Sequence, residues 1–180
     1  EEYLDSILTF GERVDGSSLF PFIEAGNSDL YVIPRFSTAF VDPFAEIPTL
    51  TLLASFFDKE GNPLSSSPEQ TLRKACDAFQ KETGMEFYAM GELEYYVIAD
   101  FEGLFPASDQ KGYHESTPYA KFNDFRTKCM YMIAQAGGQI KYGHNEVGNF
   151  TVGNKIYEQN EIEFLPIPAL QAADNLMIAK

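Results

Sequence analysis

The stretch "GELEYYVI", residues 91–98, constrains this chain more than any other. Tyr95, Tyr96, Val97 and Ile98 favour an extended backbone packed in a sheet. Side chains alternate along a strand, so Glu92 and Glu94 emerge on one face. Neighbouring carboxylates on a sheet repel each other. Later strands repeat the pattern: Glu146 lies in "GHNEV", and Glu161 with Glu163 lies in "NEIEF", where the pair again shares a face. Two readings stand open on pattern alone. One is a set of solvated faces on half-exposed strands. The other is a single acidic patch on one sheet, held together by divalent cations. Mg2+ and Mn2+ take oxygen ligands, with water and substrate phosphate completing the shell. Buried glutamates without a partner would raise their pKa and neutralise, and a cation removes that penalty. His144 stands two residues before Glu146 on the same strand face, and reads equally as a hydrogen-bonded histidine or a site member. His114 reads as an ordinary loop residue.

Charge narrows the partners. The 180 residues include 27 acidic and 13 basic side chains, a net charge of −14. That balance argues against nonspecific binding to nucleic acid or to an anionic membrane. An acidic chain still binds phosphates when metal ions bridge them. No apolar run is long enough to span a membrane, and no signal peptide is expected. Cys76 and Cys129 are far apart and form no CxxC motif, so they read as reduced core thiols in a cytoplasmic protein. The chain starts at Glu1 without a methionine, and its last helix runs to Lys180 without a cap, so it is expected to be a piece of a longer protein.

The predicted elements are mixed. Residues 1–10 have helical spacing at Tyr3, Leu4, Ile7 and Leu8, and Gly11 with "DGSS" (15–18) reads as a turn. Strands are expected at 29–34, 38–43 and 49–57, with a turn at 58–63. Ser67 as N-cap, Pro68 at the first helical position and Gly84 as the stop predict a helix between them, with Leu72, Ala75, Cys76 and Phe79 buried. One or two strands follow to residue 100, broken at Gly91. Residues 102–119 lack periodicity and form a long loop, of the kind that is usually functional or mobile. A helix from residue 121, ended by Gly137, places Phe122, Phe125, Cys129, Met132 and Ile133 on one face. Strands at 139–147 and 155–167 flank the turn "GNFTVGN", and a helix begins near 168. The serine-proline stretch near 65–68 marks a boundary, giving domains 1–66 and 67–180.

In order, "DGSSLF … IPRFSTAFVDPF … GELEYYVI … GYHESTPYAKFNDFR … GHNEV … QNEIEF … AADNLMIAK" resembles the glutamine synthetase family across nearly the whole chain. The resemblance implies an α+β chain: a partial β-grasp-like domain, then the first half of a catalytic domain built on a curved antiparallel sheet with helices outside. It implies ATP-dependent phosphorylation of glutamate, then attack by ammonia on γ-glutamyl phosphate, with Mg2+ or Mn2+ as cofactor. It places Glu94, Glu146 and Glu161 on the metal nearer glutamate, and Glu92 on the metal that draws on ATP. Asp15 and Ser18 match a turn that serves a neighbouring subunit's site in a homo-oligomer, where the aspartate binds and deprotonates ammonium. Departures exist. Lys141 stands on the nucleotide side where an acidic residue is common, Asn145 replaces a histidine, and the stretch between Glu146 and Glu161 is longer than usual. The family's "GSGMHxH" motif and phosphate-binding arginines match no residue up to Lys180, so this portion alone is expected to be inactive. Physics alone gives Asp15 no catalytic role, since Asp-Gly-Ser turns are common at surface bends. Two other activities remain open: a ligase joining glutamate to an amine such as a polyamine, and a non-catalytic homologue with a structural or regulatory role.

Overall fold

The computed structural model describes residues 2–100 and 105–180. Two compact units divide the chain at residues 87 and 88. In the first, the expected helix forms as α1 (Glu2–Phe10). Gly11 stops it at φ 79°, and a Cβ there would meet the Val32 carbonyl oxygen at 2.4 Å, so only glycine fits. The turn expected at "DGSS" is instead the end of strand β1 (Glu12–Asp15) and a short helix α2 (Gly16–Leu19), because the Asp15 side chain caps Ser17 N–H. Strand β2 (Asp29–Pro34) matches its expected span. The next two strands shorten to β3 (Phe40–Val41), β4 (Leu50–Thr51) and β5 (Ala54–Phe57). Thr38 Oγ1 accepts a hydrogen bond from Leu53 N–H, between β4 and β5, in place of a strand partner. The order β1-β2-β5 is antiparallel throughout, and β3 and β4 pair separately.

Helix α3 (Pro68–Thr83) has the caps its sequence predicts. Ser67 Oγ accepts from Gln70 N–H at 3.3 Å, and Gly84 closes the helix at φ 71°. Its apolar stripe is shallower than expected: Leu72, Cys76 and Phe79 are half-buried and Ala75 is exposed. Both cysteines are free, as expected; Cys129 is half-buried against the core of the second unit, and Cys76 is half-buried on α3.

The second unit holds β6 (Tyr88–Ala89), β7 (Glu92–Asp100), α4 (Asn123–Gln135), β8 (Ile140–Val152), β9 (Lys155–Phe164), β10 (Ile167–Pro168) and α5 (Ala169–Ala179). Residues 102–104 of the expected loop lie outside the described residues; 105–122 carries no helix or strand. The sheet order is β7-β9-β8, antiparallel, with β9 central. The expected turn "GNFTVGN" is mostly strand, and only Gly153 and Asn154 separate β8 from β9. The extra length is absorbed by a register shift between Asn145 and Asn149.

The core lies on one face of this sheet. Ile133 of α4 packs with Ile162 and Phe164 of β9, joined by Leu93, Cys129, Met130, Ile140 and Leu176. Gly143 lets α4 approach: a Cβ there would meet Met130 Sδ at 2.7 Å. Arg126, not Phe125, turns inward from α4, and Phe125 is exposed. Ile162 has no exposed surface and sits between Glu161 and Glu163. Truncating Ile162→Ala should cost about 2–5 kcal/mol in urea unfolding, whereas Ser67→Ala, which removes only a cap, should cost about 1 kcal/mol.

Candidate metal centre

The face of β7-β9-β8 opposite the core gathers the acidic side chains. Strand register sets Glu92 beside Glu163 and Glu94 beside Glu161, and places His144 and Tyr142 of β8 beside Glu161 and Glu163. Alternation then sends all six to one face. Glu146 follows His144 by two residues, at the start of the irregular stretch of β8. Among the described residues, two groups have ligand atoms within 4.8 Å of one another: Glu92, Glu94 and Glu161, and His144, Glu146 and Glu161. Glu161 belongs to both.

Electrostatics single out Glu161. It is 5% exposed, and its pKa is pushed up to about 7 by burial, by a hydrogen bond shared with Glu146 and by the charges of Glu92 and Glu94. The donor set fits a hard divalent cation: carboxylate oxygens with one imidazole, crowded enough that one carboxyl retains its proton. Such cations would be held by two sets of residues that share Glu161: Glu92 with Glu94, and His144 with Glu146.

Neighbouring groups tune this face. Glu163 carries its own counter-charge, with Lys141 Nζ 2.6 Å from its carboxylate. Lys141 and a hydrogen bond from the Tyr142 hydroxyl hold Glu163 below the usual carboxylate range, while Tyr142 is pushed up to about 12. Lys141 is thus tied to the acidic face itself. Gln159 donates to Glu94 at 2.6 Å and accepts from Gly148 N–H at 2.8 Å, linking β7 to the irregular stretch of β8. His144 Nε2 lies 3.5 Å from both Glu161 and Glu163. His114 is no bystander: its ring stacks on His144, centroids 4.3 Å apart. Its loop reaches there because Gln110, Gly112 and His114 N–H groups bond the carbonyls of Asn149, Val147 and Asn145.

Asp15 and Ser18 belong to the first unit, and there they are together. Asp15 accepts from Ser17 N–H and from the hydroxyls of Ser17 and Ser18, at 2.8–3.0 Å. With Ser28, these bonds hold the Asp15 carboxyl down at about 2. Sequence reasoning noticed Glu163 without assigning it, and missed Gln159. An i, i+2 continuation of the Glu161–Glu163 series back to Gln159 was the available signal.

Residues 1–59 match the family described as "Glutamine synthetase, beta-Grasp domain", and residues 65–180 match "Glutamine synthetase, catalytic domain". A curated glutamine synthetase from Methanococcus voltae is 27% identical over 182 aligned residues, covering 100% of this chain and 39% of that protein. The protein of that name from Thermotoga maritima is 25% identical, covering 94% of this chain and 38% of its own length. The chain therefore spans about two fifths of these relatives. Among solved structures, a Plasmodium falciparum glutamine synthetase superposes with a TM-score of 0.76 at 18% identity, over 97% of this chain and 40% of that one. A GmaS/ADP complex gives 0.75 at 14% identity, over 99% and 41%. The fold is a β-grasp domain followed by part of a catalytic domain of this type.

The crowding has a pH signature. Glu161 has a folded-state pKa above its unfolded value, so the metal-free fold loses stability as pH rises from about 4.5 to about 7. At pH 8 without metal, Glu161→Gln should raise the melting temperature, and with Mn2+ the wild type should gain more than the variant. Differential scanning calorimetry with and without Mn2+ reads both effects.

Proposed function

The chain belongs to the glutamine synthetase family, and we propose that the full protein joins ammonia to glutamate at the expense of ATP, through γ-glutamyl phosphate. The observation that carries this reading is the convergence of Glu92, Glu94, Glu146 and Glu161 from three strands onto one face. Isolated surface glutamates would have no reason to share a register. In this proposal Glu94, Glu146 and Glu161 hold the cation nearer glutamate, and Glu92 serves the one on the ATP side. Divalent cations bound there would neutralise phosphate charge during transfer, which is most of what that chemistry needs.

The protein's own groups do the rest. Gln159 fixes the direction of Glu94 through its amide. Lys141, proposed on the nucleotide side, neutralises Glu163 and so limits the negative field that a polyphosphate meets. Asp15, with Ser18 bonded to it, is proposed to serve a neighbouring subunit of a cytoplasmic homo-oligomer. A carboxylate whose pKa is near 2 is always ionised and suits holding an ammonium cation. The domain division is proposed at 66 and 67, two residues into the second family match, near where the first ends at 59 and the second begins at 65; the compact units divide at 87 and 88.

In the full protein, Glu94→Gln should abolish most turnover with the fold intact and Mn2+ affinity lowered. Asp15→Asn should still phosphorylate glutamate but use ammonia poorly, because the fixed negative charge that holds ammonium is lost. Unfolded together in equal amounts and reassembled, the two variants should restore about a quarter of wild-type activity, the random-mixing fraction for sites shared across a closed ring. No recovery in rings verified as mixed by mass would place Asp15 outside any shared site.

A further inference from the structure

Beneath the acidic face lies a second, fully buried polar cluster. Arg126 of α4 is 5% exposed; Asn145 of β8 and Asn160 and Glu158 of β9 have no exposed surface. One guanidinium nitrogen of Arg126 donates to the side-chain oxygens of both Asn145 and Asn160, and the other donates to Asn123 at 2.7 Å. Asn160 in turn donates to Glu158, whose carboxylate accepts Lys121 and Phe122 N–H at 2.7 and 3.2 Å, at the entry to α4.

The location matters. Asn145 and Asn160 face each other across β8 and β9 and form the last regular rung before the register shift. Asn145 lies between His144 and Glu146, and Asn160 immediately precedes Glu161. Glu146 therefore lies in β8 just past that rung, where the pairing with β9 is interrupted. One guanidinium nitrogen bridging both amide oxygens from below, with a second nitrogen anchored on Asn123, holds the two backbones together at that point. We infer that Arg126 is a positioning residue for the acidic face, pinning the Asn145–Asn160 rung so that Glu146 and Glu161 stay within reach of one cation. The inference rests on the reading of that face as a cation site.

Arg126→Lys keeps the charge but has a single nitrogen where arginine uses two, so the separate anchor on Asn123 is lost, and Asn145→Ala removes one arm while leaving the bonds to Asn160 and Asn123. Mn2+ binding to the full protein, followed by the EPR signal of free Mn2+ well below each variant's melting temperature, tests this. Both variants should bind about 10–100-fold more weakly, the size seen when groups behind metal ligands are lost. Ile133→Val, a core truncation on the same helix, should lower the melting temperature and leave Mn2+ affinity unchanged. Glu161→Gln should lose Mn2+ whatever Arg126 does; wild-type affinity in that variant would overturn the cation-site reading itself. If Glu161→Gln loses Mn2+ while folded Arg126→Lys binds like wild type, the positioning inference is wrong and the site reading stands. Should Arg126→Lys fail to fold, Asn145→Ala decides, and wild-type affinity there overturns the inference. An equal loss in Ile133→Val would reduce the effect to general packing and overturn it too.

Discussion

Strand β9 must present opposite chemistry on its two faces at one-residue spacing. Glu161 and Glu163 point one way, and Asn160, Ile162 and Phe164 point the other. A slip of one residue in its pairing would bury carboxylates in the core and expose Ile162, so register is the most tightly specified quantity in the unit. Being central, β9 passes that register to both neighbours. Each neighbour then inherits a face it did not choose: Leu93 and Tyr95 go to the core because Ile162 and Asn160 do.

Like charges gathered this way raise an energetic problem, since two unit charges 4 Å apart cost on the order of 4 kcal/mol at an effective dielectric of about 20. The protein answers it differently at each carboxylate. Glu163 is matched by Lys141, Glu94 is bonded by Gln159, and Glu161 retains its proton near neutral pH. Only the last of these is a state that a cation would change, which makes Glu161 the natural centre of the site.

Much of this was legible from residue order. The caps of α3 act where Ser67, Pro68 and Gly84 predicted, and the shared face of Glu92 and Glu94 follows from alternation alone. The failures have physical causes. Glu158 and Arg126 are charged, so a pattern reading sends them to solvent, whereas helix-entry N–H groups and paired amides stabilise them inside. Phe125 is apolar and reads as core, although helical phase puts Arg126, Cys129 and Ile133 toward the sheet. The register shift in β8 does carry a signal, Gly148 beside Asn149, but such a pair reads as the turn that ends a strand and not as an irregularity inside a longer one. His114 is brought to His144 by backbone bonds from its loop, which side-chain identity does not reveal.

The tight connection at Gly153–Asn154 ends the β8–β9 hairpin without slack. Beyond the register shift, Asn149 to Val152 pair regularly with Lys155 to Glu158, and Phe150 stacks on Tyr157 with ring centroids 4.7 Å apart. Strand β7 runs alongside, pairing Val97 to Asp100 with the same four residues of β9, and Lys155 Nζ lies 2.7 Å from Asp100. The residues that separate Glu146 from Glu161 in sequence are thus stored as ordered sheet. A change of length there would have to come at the tip, in matched pairs of residues, to keep the carboxylates at its base where they are.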